Sequence, residues 1–266
     1  MNILQRHNVR VIGSGSRVMV LAHGYGCDQN MWRLLVPAFE QDYRIVLFDY
    51  IGHGQSDASQ FSAARYTTLN DYARDLIGIC HELKIRQAIF VGHSVSSMIG
   101  MLAAQSDPAL FERLVFVGPS PRYVNDDGYL GGFSREDIDG LLDSLDANHL
   151  GWSTTMAPVI MGNSDRPELS SELEASFCRT HPAVAKTFAR VTFLSDNRDD
   201  LTKIVVPCLI LQCSDDVVAP RAVGEYVHRR VPGSRMTVLK ATGHCPHLSA
   251  PDETIAAIKA FIPTHG

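Results

Sequence analysis

The chain has 266 residues, 45% of them hydrophobic and 20% charged, the proportions of an ordinary globular protein with one large domain or two small ones. A formal net charge of −5, from 24 basic and 29 acidic residues, excludes the basic footprint of a nucleic-acid binder, and no Lys/Arg run offers a polybasic membrane patch. No apolar run approaches the ~18–20 residues that span a bilayer, and the opening MNILQRHNVR is polar, so a cytoplasmic protein with no nucleic-acid or membrane partner is expected.

Residues 8–13 suggest an antiparallel edge strand. Short, nearly continuous apolar runs follow at 17–22 (RVMVLA), 44–49 (RIVLFD), 88–92 (AIFVG) and 113–117 (RLVFV). Such runs suit strands buried on both faces. Between the second and third of them, Leu69, Tyr72, Ala73, Leu76, Ile77, Cys80 and Leu83 fall on one helical face, with Thr68 placed to cap its start. A further helical run begins at Val95. After Val117 the rhythm breaks: the 90 residues 118–207 far exceed the ~10–12 that a crossover needs. They carry helical patterns at 134–145 (Ile138, Leu141, Leu142 and Leu145 on one face), 148–161, 170–178 and 182–194, which predict a helical insertion over the sheet edge. Strands at 208–212 (CLILQ) and 236–239 (MTVL) and a closing helix marked by Ile255, Ile258, Phe261 and Ile262 complete the chain. Alternating strands and helices imply an α/β fold with a mostly parallel central sheet flanked by helices. The six cysteines, Cys27, Cys80, Cys178, Cys208, Cys213 and Cys245, read as reduced thiols, and without a CxxC pair no zinc site is expected.

The chemistry concentrates at Gly92-His93-Ser94-Val95-Ser96, between the strand at 88–91 and the helix from Val95. A serine on a tight strand-to-helix turn stands above the carboxyl edge of the sheet, with helix N–H groups behind it. The alternative is a serine that merely caps the helix. The motif is G-x-S-x-S, with Ser96 where a second glycine is usual. A serine hydroxyl needs a base held by a third group, and both should follow Ser94 in chain order. The loop after 208–212 offers Asp215 and Asp216, and the loop after 236–239 offers His244 and His247. Asp216 is assigned as acid and His244 as base, with Asp215 and His247 as rivals. The oxyanion hole is assigned to the N–H groups of Val95 and Tyr25, the latter in His23-Gly24-Tyr25-Gly26, with His23 structural. The stretch Asp49-Tyr50-Ile51-Gly52-His53-Gly54 reads as a turn-rich loop, not a nucleotide site. No metal or cofactor is called for.

The H-G-x-G loop, the D-x-x-G-x-G-x-S loop, G-H-S-V-S, the late D-x-x-x-P and G-H together resemble the α/β-hydrolase superfamily over the whole chain. The stretches HGYGCDQNMW, GHSVSSM, GPSPRYVN, GGF, FLSD and GHCPH resemble one subfamily, which holds the bacterial stress regulator RsbQ and the plant strigolactone and karrikin receptors. DRPELSSELEASFC and LILQCSDD look closest to the bacterial member, whereas Ser96 resembles the plant receptors. The resemblance implies a four-helix, V-shaped cap inserted after the sixth strand, a core of residues 1–123 and 197–266, and a cap of residues 124–196. It implies an apolar pocket lined by Tyr25, Tyr123, Phe133, Trp152, Met156, Phe193 and Val217. It also implies a serine hydrolase of small hydrophobic esters or butenolide-type ligands. The alternative it implies is a ligand sensor with slow hydrolysis that partners a PAS-domain phosphatase or another signalling protein.

Overall fold

Seven strands form one sheet in the computed structural model, which describes residues 2–262. They are β1 (Arg10–Ile12), β2 (Arg17–Ala22), β3 (Tyr43–Leu47), β4 (Ala88–His93), β5 (Phe111–Val117), β6 (Cys208–Asp215) and β7 (Arg235–Thr242). Their order across the sheet is β1-β3-β2-β4-β5-β6-β7. Only β1 runs antiparallel, pairing Arg10 with Leu47 and Ile12 with Ile45, as the edge pattern at 8–13 predicts. The other six are parallel, so the loops after β2, β4, β6 and β7 all open on one edge, where ligands bind in open α/β sheets.

Side chains alternate between the two faces. In β2, Met19 and Leu21 enter one apolar cluster while Val18, Val20 and Ala22 enter the other. The second cluster is covered by α1 (Ile3–Arg6), α2 (Leu69–Glu82), α3 (Val95–Ser106) and Val227 of α8 (Arg221–Arg230). The first is covered by Trp32, Leu35 and Phe39, by Leu248 of α9 (Pro246–Ser249) and by α10 (Pro251–Phe261). Thr68 and Asp71 close a capping box at the start of α2. Helix α8 has no counterpart in the apolar pattern, because only Val223, Gly224 and Val227 are buried in a decapeptide rich in charged residues. Strand β7 outruns its apolar signature for a related reason: at the sheet edge, most of its residues face water. Strand β3 stops at Leu47, short of the expected Asp49, whose buried carboxylate instead accepts N–H bonds from Gln29 (2.9 Å) and Gln55 (3.0 Å) and one from Asn8 Nδ2 (2.8 Å). The outermost residues of the expected core segments, 1 and 263–266, lie outside the described residues.

Four helices fill the connection from β5 to β6: α4 (Arg135–Ala147), α5 (His149–Met161), α6 (Pro167–Arg179) and α7 (Pro182–Phe193). The insertion therefore follows the fifth strand, not the sixth as expected, because a single antiparallel strand precedes β2. Helix α6 begins three residues before its apolar pattern, at Pro167, whose missing N–H costs nothing at a helix start. Helix α7 anchors these helices to α2 and the loop after β3 through Phe188. Its ring is fully buried, 4.5 Å from the ring of Tyr72, 5.3 Å from His53 and 5.6 Å from Tyr50. Among the described residues no helix is long and apolar enough to cross a membrane.

Phe188→Ala leaves a cavity at this junction and is expected to cost about 3–5 kcal/mol in urea unfolding; a loss below about 1 kcal/mol would show that the anchor lies elsewhere. His53 beside it is buried, and burial holds its pKa down to about 3. The unfolded chain takes up a proton near pH 6.5 that the folded protein refuses. The stability due to neutral His53 is therefore complete above about pH 6.5 and is lost as pH falls toward 3, by up to about 1.4 kcal/mol per pH unit. Urea midpoints followed from pH 7 to pH 4 should fall less steeply for His53→Gln than for the wild type; equal slopes would contradict a neutral, buried imidazole.

Candidate active site

Strand β4 ends at His93 and α3 begins at Val95, so Ser94 alone turns the chain. It does so at φ 56°, ψ −123°, a conformation that costs a residue with a side chain of order 1–3 kcal/mol. Its N–H donates to Val117 O at 2.8 Å. Gly92 is required because a methyl there would stand 2.7 Å from both the carbonyl carbon and the oxygen of Ser96. Serine is accommodated at 96 because its hydroxyl is fully used. It donates to His23 O (2.5 Å) and accepts from Tyr50 Oη (2.7 Å).

The loops after β6 and β7 bring two further groups to Ser94. Asp216 is buried; its Oδ1 accepts the N–H groups of Val218 (2.9 Å) and Ala219 (3.0 Å). Its Oδ2 accepts from His244 Nδ1 at 2.7 Å. That bond puts the ring proton on Nδ1 and leaves Nε2 to accept from Ser94 Oγ, also at 2.7 Å. The rivals sit elsewhere. Asp215 is exposed, and the ring of His247 packs 4.8 Å from Trp32 and 4.5 Å from His93. The His244 loop is clamped on both sides. Its N–H donates to Ile160 O of α5 (2.9 Å), and its carbonyl accepts from His93 Nε2 (2.8 Å). Gly243, at φ 77°, lets α5 approach so closely that a methyl would lie 1.9 Å from Met161 O.

Val95 is the first residue of α3, so its N–H has no acceptor within the helix, while Tyr25 lies between Gly24 and Gly26 after β2. The Tyr25 ring lies 5.8–6.0 Å from those of Trp152, Phe177, Phe188 and Phe193, and its hydroxyl donates to Ala185 O at 3.2 Å. His23 is buried, its Nδ1 bonded to Gly24 O (2.8 Å) and its Nε2 accepting from Tyr50 N (3.0 Å). Tyr123 Oη stands 3.5 Å from Ser94 Oγ. Burial pushes the Tyr123 phenol up to about 12, so it keeps its proton and can donate at neutral pH.

The cavity beside Ser94 has a volume of about 30 Å³ and is lined by Tyr25, Tyr123, Phe193, Phe177, Val218 and Cys245. Four expected lining residues stand outside it. Trp152 packs behind Tyr25 and Phe177, Phe133 and Met156 pack into the apolar cluster, and Val217 turns outward to water while Val218 turns in. The bend after β6, held by the bonds from Val218 and Ala219 to Asp216, puts Val217 and Val218 on opposite sides, and no composition signal separates them. The larger recess of about 480 Å³ lies at the start of α2 against the end of α7 and contains none of these groups.

Residues 19–257 match the alpha/beta hydrolase family. The chain belongs to this family. "Karrikin insensitive 2 receptor CA" of Petunia hybrida is 40% identical over 97% of this chain and 96% of that protein. "Strigolactone esterase RMS3" of Pisum sativum is 38% identical over 94% of this chain and 94% of that protein. The solved structure of a hydrolase from Oleispira antarctica superposes with a TM-score of 0.95 at 40% identity, covering 97% of this chain and 95% of that one.

No motif of this hydrolase marks His93 as an acting group. A histidine inside a strand buried on both faces needs a hydrogen-bond partner, and that signal is present in AIFVGHS. Asp216→Asn should lower kcat for p-nitrophenyl acetate by about 10³–10⁴-fold with the fold intact by circular dichroism, whereas Asp215→Asn should stay within a few-fold of wild type. The reverse ranking would give the acid's place to Asp215.

Proposed function

We propose that this protein hydrolyses small hydrophobic carboxylic esters, or butenolide-type ligands in which a lactone carries an enol-ether link, through an acyl-enzyme formed on Ser94 from the ester or lactone carbonyl. The unbroken line from Asp216 through His244 to Ser94, with 2.7 Å at each step, carries the reading. His244 takes the Ser94 proton as Oγ bonds to the substrate carbonyl carbon, and Asp216 steadies the resulting imidazolium. The N–H groups of Val95 and Tyr25 receive the oxyanion. His244 returns the proton to the leaving oxygen; water, deprotonated by His244, then releases the acid and restores Ser94. Tyr123 Oη is placed to donate to the serine oxygen once the acyl group is transferred and water enters.

A cavity of about 30 Å³ holds roughly two waters, whereas sites for drug-sized ligands run to about 300 Å³ and more. Residues 124–196, acting as a cap over the core, must therefore move for any but the smallest ester to enter. The aromatic hub around Tyr25 is the contact that parts.

The likeness to a protein named as a karrikin receptor favours a second reading, in which slow hydrolysis reports ligand capture to a signalling partner, a PAS-domain phosphatase being one candidate, in the cytoplasm. A time course with p-nitrophenyl acetate beside a fluorogenic butenolide separates the two. Steady multiple turnover, lost at least 10³-fold in Ser94→Ala, is expected for the hydrolase. A burst of about one product per protein followed by arrest would favour the sensor. Wild-type turnover in Ser94→Ala would remove Ser94 from the mechanism.

A further inference from the structure

Beside Ser94 and His244, three further groups converge. One ring nitrogen each of His93 and His247 and the Sγ of Cys245 all lie within 4.8 Å of one another, and all three residues are buried. The hydrogen bonds leave this cluster with unused lone pairs. His93 Nε2 faces the carbonyl of His244, which can only accept, so the proton sits on Nε2 and Nδ1 is a bare acceptor with no partner among the described residues. Both ring nitrogens of His247 also lack a partner among the described residues, and a neutral imidazole keeps one lone pair whichever nitrogen holds the proton. Orphaned polar atoms in a fully buried place are costly, and a bound ion is one of the standard reasons they persist. The His93 bond to a backbone carbonyl is also the usual outer partner that orients a metal-binding imidazole. Gly24 keeps the space beside His93 open, since a methyl there would stand 2.4 Å from Nδ1.

We propose that His93, Cys245 and His247 form a site for a thiophilic divalent cation of the Zn²⁺ class, and that the ion, once bound, arrests hydrolysis by filling the cavity beside Ser94. One thiolate with two imidazoles suits Zn²⁺, and three protein ligands leave a fourth position for water. His93 and Cys245 line the cavity shared with Ser94 and His244, so that position opens toward the substrate. Ligand atoms on tetrahedral zinc stand about 3.5 Å apart, so the side chains close by about 1 Å on binding. Binding releases the Cys245 proton to solvent. The ion and the water in its fourth position then occupy a cavity of only about 30 Å³, the space a substrate carbonyl needs beside Ser94. The arrest rests on the hydrolase reading above; the binding does not.

Two measurements on the full chain test this. Co²⁺ replaces Zn²⁺ as a spectroscopic probe, read without substrate. One equivalent, a thiolate-to-cobalt charge-transfer band and tetrahedral d–d bands are expected in the wild type, all lost in Cys245→Ala and Cys245→Val. A wild-type spectrum with no thiolate band overturns the site whether or not either variant folds, and an unchanged spectrum in a folded variant does so too. Zn²⁺ titrated against p-nitrophenyl acetate hydrolysis should lower the rate at least tenfold at one equivalent, with half-inhibition shifted at least tenfold upward in the Cys245 variants. A thiolate band with undiminished turnover overturns the arrest. A metal-free wild type that hydrolyses nothing refutes the hydrolase reading instead, and the cobalt spectrum still decides the site.

Discussion

The strained turn at Ser94 sets the terms for everything around it. A side-chain-bearing residue at φ 56° is unfavourable in isolation, so the surrounding structure has to hold it there. β4 does this from the middle of the sheet, hydrogen-bonded to a parallel neighbour on each side, and Val117 O secures the Ser94 N–H. Behind the turn, the backbone of Ser96 comes so near Gly92 that no side chain fits between them. Holding the serine this way puts its hydroxyl clear of the sheet and the first N–H of α3 beside it, which is the arrangement an acyl-transfer site needs.

The helices between β5 and β6 take part in positioning the chemistry as well as covering it. His244 is hydrogen-bonded through its backbone to Ile160 on α5, and Asn163 Nδ2 donates to Thr242 O at 3.0 Å. The same helices meet the core through aromatic rings around Tyr25 and Phe188. The backbone bond at Ile160 ties the loop of His244 to α5, and the buried ring of Phe188 holds the same set of helices to the core.

Much of the site is legible in local pattern because it sits where strands end. A strand-loop boundary is marked by a switch from apolar run to turn residues, and Ser94, Asp216 and His244 each follow such a switch. The choice of Asp216 over Asp215 rests on chain order; the structure adds the reason, since Asp216 is buried with two N–H donors on Oδ1 while Asp215 faces water. The pocket is less legible. Phe133, Trp152 and Met156 are apolar residues of the right kind, yet they pack a layer away from the cavity. How the inserted segment packs on the core, which no periodicity encodes, decides which apolar side chains face the cavity.

By itself the sequence determined the alternation of strand and helix, the long helical insertion and the residue types at three loop ends, because these follow from period and turn chemistry within a few residues of chain. Only the tertiary structure decided that the insertion follows the fifth strand, that α5 grips the loop of His244, and that His93, Cys245 and His247 meet, with ring nitrogens of both histidines unpartnered among the described residues. Those facts join residues up to about 150 positions apart, such as His93 and His244, and depend on how whole elements stack, which local residue preferences do not specify.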